Sequence, residues 1–211
     1  MSEQASPPRI ELLPVAEWDP EVREVWAADT TKKQANGLPP QLKDIPDTLN
    51  LTRIFAHHPS LAVAFYPLSR MVNEGRLPHR DRELVTLRTA LRSRSGYEWS
   101  HHYEMAQTVG VTEAEVLRTA EDPAGADWSP HEVALLTAVD EICDDSAISD
   151  ATWRRLRRTY DEAQVLELLA LAGTYRLLAS VLNTSRAPLE DWRPERPLPA
   201  VSVPADRSVT P

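Results

Sequence analysis

The sequence predicts an all-α protein. From residue 59 onward, apolar residues recur at three- and four-residue spacing, and helix start and stop signals punctuate the chain at short intervals. No stretch shows the sustained apolar–polar alternation of a strand. Together these observations point to a bundle of short and medium helices.

The elements follow in order. Residues 1–50 form a loop-rich arm, marked by Pro7-Pro8, Pro14, Asn36-Gly37, Pro39-Pro40 and Pro46. Within it Asp19-Pro20 places an N-cap and an N1 proline, predicting a short helix to about Ala28. A helical domain over residues 51–187 comes next. Pro59 opens a helix with Leu61, Phe65, Leu68 and Val72 at helical spacing, and Gly75 ends it. Pro78 opens the next, over 79–93, with Leu84, Leu87 and Leu91 on one stripe. Gly96 breaks the chain before a helix over 97–109, which Gly110 stops as a C′ glycine. Thr112 and Glu115 form a capping box for a helix to about Ala120, and Ser129, Pro130 and Glu132 start one to about Cys143. Ser149 begins a helix to about Arg158, and Asp161 begins the last, to about Asn183. Beyond Ala187 six of the final 24 residues are proline. The tail over 188–211 is therefore either disordered or extended on a neighbouring surface, with Trp192 favouring docking near its start.

Composition narrows the function classes. The chain has 211 residues and a net charge of −9, enough length for one domain or two small ones. Without a basic stripe, neither nucleic acid nor an anionic membrane is an expected partner. Met1-Ser2-Glu3-Gln4 lacks the charged-then-apolar pattern of a leader, and the apolar run from Val165 to Leu182 is interrupted by Glu167, Tyr175 and Arg176. The expectation is a soluble, cytoplasmic protein. Cys143 is the one cysteine, so an internal disulfide, a Cys-x-x-Cys redox pair and a four-cysteine zinc site are ruled out. Its acidic neighbours Asp144 and Asp145 make it a poor nucleophile.

The chemistry-bearing segment is Glu83 to Ala106. On the helix over 97–109, Glu98, His102, Met105, Ala106 and Val109 share the face that should be buried. The i,i+4 spacing lets Glu98 and His102 meet. A buried carboxylate needs a partner or a raised pKa, and a Glu–His pair in a dry site suits general acid/base work. The same pair can instead simply pin the helix. A tight turn at Gly96 would bring Glu83 within reach of His102, giving a carboxylate–imidazole–carboxylate set, although Glu83 also suits the start of its own helix as a surface charge. Arg176 stands on an apolar stripe with Val165, Leu169, Ala172 and Ala179. It either pairs with Glu83, Glu98 or Asp140, or binds a substrate carboxylate.

Other constellations lack parts. Glu98-x-x-His101 occurs once, whereas helical di-iron sites need two copies. His57-His58 and His101-His102 point their rings apart and do not define a zinc site. No phosphate loop, nucleophile elbow or His-Glu-x-x-His is present. No metal and no cofactor is expected.

Several motifs resemble the carboxymuconolactone decarboxylase family of the AhpD-like superfamily. They are Arg82-Glu83-Leu84-Val85-x-Leu87-Arg88, Tyr97-Glu98-Trp99-x-x-His102, Ala106 and Gly110-Val111-Thr112, followed by Leu135-Leu136-x-x-Val139-Asp140-Glu141, Ile148-Ser149-Asp150-x-x-Trp153 and Gly173-x-Tyr175. The resemblance covers roughly residues 50–190. It implies an AhpD-like helical bundle, a homo-oligomer, and a pocket between helices near a subunit boundary. The peroxidase branch carries a glutamate, a Cys-x-x-Cys pair and a histidine at set spacing. Here Glu83 and His102 fit the outer positions, while Ser95 and Glu98 stand where the cysteines would be. Thiol peroxidase chemistry is thereby excluded for this chain by itself. Where relatives have histidine after the tyrosine, this chain has Arg176. The resemblance implies His102, Glu98 and Glu83 as catalytic residues, with Arg176, Tyr97, Trp99, Tyr175 and Ser95 binding a small-molecule substrate. Two functions compete. One is a cofactor-free, lyase-like enzyme acting on a small carboxylic acid or lactone. The other is a non-catalytic helical oligomer that binds a small molecule or a partner protein.

Overall fold

The computed structural model describes residues 7–35 and 48–202, with the side chains of 29–35 left aside. Asn36-Gly37, Pro39-Pro40, Pro46, the first four residues and the end of the tail lie outside the described residues. The described chain is all helical: a 3₁₀ turn at Val15–Glu17, then α1 (Pro20–Ala35), α2 (Asn50–Phe55), α3 (Pro59–Asn73), α4 (His79–Arg92), α5 (Gly96–Thr108), α6 (Glu113–Arg118), α7 (Pro130–Asp145), α8 (Asp150–Leu156) and α9 (Glu162–Ser185). It packs as two units. One takes in the described residues up to Gly75 with Ser180–Pro194, the other Arg76–Ala179 with the chain from Glu195.

The first unit is built on α1, α2 and α3. Trp18, Val22, Ile54, Phe55, Phe65 and Val72 are buried, with Phe55 stacked on Phe65 and Trp18 edge-on to Trp26. Helix α1 runs on to Ala35 rather than ending near Ala28, because the first strong breaker is Asn36-Gly37. Helix α2 was not expected. Its first N–H has no cap from its own neighbourhood. Instead Asn50 donates its backbone N–H to the Glu190 carboxylate at 2.7 Å and its amide to Pro188 O at 3.2 Å. A cap supplied from so far along the chain leaves no local signature.

In the second unit α4 is central, packing against α5 and α7. Leu84, Leu87 and Leu91 are buried together with Trp99, Leu135, Leu136, Leu156, Leu168 and Leu171. Both predicted capping boxes form, at Thr112/Glu115 and Ser129/Glu132. Arg80 ties them to the start of α4. It donates to Glu132 Oε1 at 2.8 and 3.0 Å, to Glu115, and to the carbonyl of Gly110, the left-handed residue (φ +86°) that ends the α5 turn. The next residue, Asp81, accepts from His131 Nε2 at 2.8 Å and from the Tyr160 hydroxyl. The Arg80-Asp81 pair thus meets His131-Glu132 of α7 with opposite charges matched.

Arg88 is wholly buried and forms a bidentate pair with Asp140, both contacts at 2.8 Å. Its remaining N–H groups reach the carbonyls of Thr119 (2.6 Å), Glu121 (2.9 Å) and Ser202 (3.4 Å). Ser202 comes from the tail, which settles the two alternatives left by its composition. Through Ser202 the tail lies extended on its own chain. Arg196 N–H donates to Ser100 Oγ at 3.0 Å, its guanidinium pairs with Glu104 and covers the Tyr103 ring, and Ser202 N–H donates to Ala120 O at 2.8 Å.

Helix α9 is long and apolar enough to span a membrane by length and composition alone, with mean hydropathy 1.6. Just over half of it (56%) is buried inside the fold, the pattern of a core helix.

Removing one partner of the Arg88–Asp140 pair strands a charge in the core. Asp140→Ala is expected to lower the unfolding free energy by about 3–5 kcal/mol, measured by urea denaturation at neutral pH. The double change Arg88→Met with Asp140→Leu is expected to recover part of that loss, since no charge is then left unpaired.

Candidate acid–base site

The turn between α4 and α5 creates the site. Ser93 closes α4, Arg94 takes a positive φ of 53°, and Ser95 caps α5 by accepting the Glu98 N–H. Arg94, rather than Gly96, makes the left-handed bend, and Gly96 is already the first residue of α5. Ser95 N–H returns to Ala90 O at 2.9 Å, folding α5 back along α4. That brings Glu83 of α4 to His102 of α5.

His102 Nδ1 and Glu83 Oε2 are 2.7 Å apart and both side chains are buried. Burial alone would push the Glu83 carboxyl up. The charge and hydrogen bond of His102, helped by Arg82, outweigh it and hold Glu83 below the usual carboxylate range. Glu83 is therefore ionised at neutral pH and can only accept, which puts the proton on His102 Nδ1 and leaves Nε2 for exchange.

Glu98 does not pair with His102, although helical spacing permits it. The ring turns to the ionised Glu83 instead. Glu98 is 3% exposed, and among the described residues neither carboxyl oxygen has a hydrogen-bond partner. Burial pushes its pKa up to about 8, with the nearby Ser95 hydroxyl pulling only partly the other way. It is therefore a neutral acid over most of the physiological range. Two carboxyls about one imidazole are thus held in opposite states by their surroundings.

Tyr175 of α9 closes the group, its ring edge-on to His102 with centroids 5.1 Å apart. Burial and the nearby Glu83 and Glu98 carboxyls raise its phenol, keeping it protonated. Thr86, one turn after Glu83, is buried beside that phenol.

The other residues singled out in the sequence make contacts of their own. Ser95 serves as the α5 cap. Tyr97 stacks on His101, and Trp99 lies edge-on to Tyr103, on the other side of α5 from Tyr97. Arg176 is half-buried and donates to Ile142 O at 2.8 Å, beside Cys143 at the end of α7. Arg88 makes the bidentate pair with Asp140, and Arg92 also reaches that carboxylate at 3.6 Å. Arg82 and Thr86 were missed. Arg82 had a signal in its place next to Glu83, and Thr86 in its i+3 relation to it. Among the described residues no group of three His, Cys, Asp or Glu side chains is arranged to hold a metal ion.

Residues 61–141 match the profile of the carboxymuconolactone decarboxylase family, a stretch that holds Glu83, Glu98 and His102. That stretch is similar to the family, and it lies in an AhpD-like fold. The fold is shared with an alkylhydroperoxidase AhpD core, a peroxidase-related protein from Ralstonia eutropha, at 18% identity and a TM-score of 0.68, covering 89% of this chain and 95% of that one. A peroxidase-related protein from Silicibacter is similar at 13% identity and a TM-score of 0.67, covering 90% and 96%. A cysteine-to-alanine variant of the debrominase Bmp8, solved with 2,3,4-tribromopyrrole, is similar at 16% identity and a TM-score of 0.66, covering 89% and 94%. No curated protein sequence matches the chain at a significant level. At these identities the likenesses establish the AhpD-like fold.

The neutral state of Glu98 has a measurable sign. A carboxyl whose folded-state pKa is raised from 4.5 to about 8 contributes most below pH 4.5 and loses that contribution as the pH rises toward 8. Glu98→Gln removes this titration. Its stability relative to the wild type is expected to improve across that window, at up to about 1.4 kcal/mol per pH unit. Urea denaturation of both proteins over the range checks this, and a flat difference would contradict a neutral Glu98.

Proposed function

We propose that the protein is a cofactor-independent enzyme acting by general acid/base catalysis on a small carboxylic acid or lactone, with decarboxylation as the leading chemistry. The observation that carries this reading is the buried His102–Glu83 pair at 2.7 Å beside a buried carboxyl without a partner. Structural pairs are usually satisfied throughout, whereas an unsatisfied buried carboxyl costs stability and suits a site awaiting substrate. In loss of CO₂ the carbon–carbon bond electrons pass to the remaining fragment, and a doubly protonated His102, its Nδ1–H held by Glu83, supplies from Nε2 the proton that ends there. Glu83 fixes the imidazole orientation through Nδ1. Arg82, in contact with Glu83, brings positive charge to meet a substrate carboxylate. The same acid–base pair serves isomerisation, cyclisation or elimination. A debrominase among the structural neighbours supports a catalytic role for the fold.

We also propose a cytoplasmic homo-oligomer. On α3 the side chains of Leu61, Leu68 and Met71 stand out to solvent at helical spacing while Ala62, Phe65 and Val72 face inward. On α9 Leu166 is 66% exposed and Leu177 shares its face.

Turnover is to be sought with a panel of small β-keto acids and lactones, followed by CO₂ release and NMR. With a substrate in hand, His102→Ala is expected to lower turnover by roughly 10²–10⁴-fold. Glu83→Gln is expected to lower kcat, because the imidazole loses the carboxylate that holds Nδ1 and fixes its orientation. A folded His102→Ala protein with full turnover would overturn the assignment. Light scattering is expected to give a mass well above the 23.7 kDa chain at micromolar concentration.

A further inference from the structure

We propose a second reactive site, separate from the acid–base pair: the exposed Thr159 hydroxyl, the His131 imidazole and the Asp81 carboxylate form a nucleophile–base–orienter chain suited to acyl transfer from a small ester to water. The proposal goes beyond the reading above and does not depend on it.

Three elements of one unit build it. Asp81 stands in the first turn of α4, His131 is the second residue of α7, and Thr159 and Tyr160 lie in the turn between α8 and α9. His131 Nε2 is 2.8 Å from Asp81 Oδ2, and His131 Nδ1 is 2.8 Å from Thr159 Oγ1. The Tyr160 hydroxyl donates to the same Asp81 oxygen, and its ring lies edge-on to the imidazole with centroids 4.9 Å apart. Asp81 is buried, His131 half-buried and Thr159 exposed, so the chain of groups runs from the core outward to a hydroxyl that solvent reaches. Asp81 precedes Glu83 by two residues and so projects from the other side of α4.

The roles follow from the donors and acceptors. A carboxylate only accepts, so Nε2 carries the proton that faces Asp81, and a neutral His131 offers Nδ1 as an acceptor. Thr159 then donates its hydroxyl proton to Nδ1. The Leu156 carbonyl, 3.2 Å from the same hydroxyl, takes that proton when the ring is charged. A hydroxyl, a base within hydrogen-bond reach and a third group orienting the base are the arrangement that activates a weak nucleophile. In the proposed step Thr159 Oγ1 bonds to the carbonyl carbon of the ester as its proton passes to Nδ1. The bond from that carbon to the alcohol oxygen then breaks, and the leaving oxygen takes the proton from His131. Water, deprotonated by the same nitrogen, cleaves the acyl-threonine and restores the hydroxyl. The sum is ester plus water giving acid plus alcohol. The oxyanion formed on the way arises next to the first residues of α7, where the helix dipole presents its positive end. The hydrogen bond and charge of Asp81, with Glu132 adding to them, hold His131 above the usual imidazole range against desolvation. The base is therefore free on the alkaline side of that raised value.

The test is release of nitrophenol from para-nitrophenyl acetate by the whole protein, with acid quenching and peptide mass mapping of the acetyl adduct. The wild type is expected to cleave the ester faster as the pH rises and to carry the adduct on Thr159. Thr159→Ala alters an exposed side chain that the fold can spare. It is expected to lose both the adduct and the protein-dependent rate, whereas Thr159→Ser keeps a hydroxyl and retains both. His131→Gln is expected to lower the rate by roughly 10²–10⁴-fold. Asp81 acts through His131 as a positioning residue. Asp81→Asn removes the anion that favours the charged ring, so it is expected to lower the rate and to move its onset to lower pH. An Asp81 that only ties helices together would change stability and leave that onset where it is. A rate in folded Thr159→Ala equal to that of the wild type overturns the proposal. So does an adduct found only on other residues, or a wild-type rate no greater than that of buffer alone.

Discussion

A guanidinium with no access to water must find a partner for every N–H, and Arg88 does. Two go to Asp140 and three to carbonyls that would otherwise be left at the ends of α6, its following turn and the tail. Because these acceptors come from separated parts of the chain, satisfying one side chain fixes where α7, the α6 turn and the tail lie about α4. Arg88 also points roughly 140° around α4 from Glu83, taking about 100° per residue. The helix is therefore anchored on one side and free to present a carboxylate on another. Arg80 and Asp81 fix its first turn in the same way against α7. A substrate site needs its groups held to within a fraction of an ångström, and a helix pinned at both a charged core and its first turn can supply that.

The site's electrostatics rest on one difference. Glu83 and Glu98 are both buried, yet the first has an imidazole and a guanidinium beside it while the second has neither. Opposite charge offsets desolvation for Glu83, whose stabilising contribution is in place above the ordinary carboxylate range and lost as the pH falls through it. For Glu98 the Ser95 hydroxyl offsets desolvation only in part, so it stays protonated and weakens the fold as the pH rises. The same residue type thus supplies an anion that orients a ring and a neutral donor a helical turn away. That division is costly to the fold, and the acid–base function proposed above would account for it.

Much of this was legible in the sequence because helices expose their faces through periodicity. The wheel over α5 put Glu98 and His102 on the buried side, and the turn before α5 made Glu83 reachable. The capping boxes at Thr112 and Ser129 gave the starts of α6 and α7 directly. Periodicity says which face is buried but not which neighbour it meets. The bidentate partner of Asp140 was therefore open, and the packing of α4 on α7 gives that place to Arg88. Glu98 and His102 were close enough to pair, and only the competing charge of Glu83 decides against it. Glu190 capping α2 and the tail bonding to α5 are encounters between distant segments, with no local composition to announce them.

The interleaving of the two units bears on how the protein is made. The first unit needs Ser180–Pro194 before α2 receives its cap, and the second needs the chain as far as Ser202 before Arg88 has its fifth acceptor. Chains emerge from the ribosome N-terminus first, and domains that are continuous in sequence can fold while synthesis continues. Here neither unit is complete until almost the whole described chain has emerged. Completion of both units thus waits for the stretch from Ser180 to Ser202.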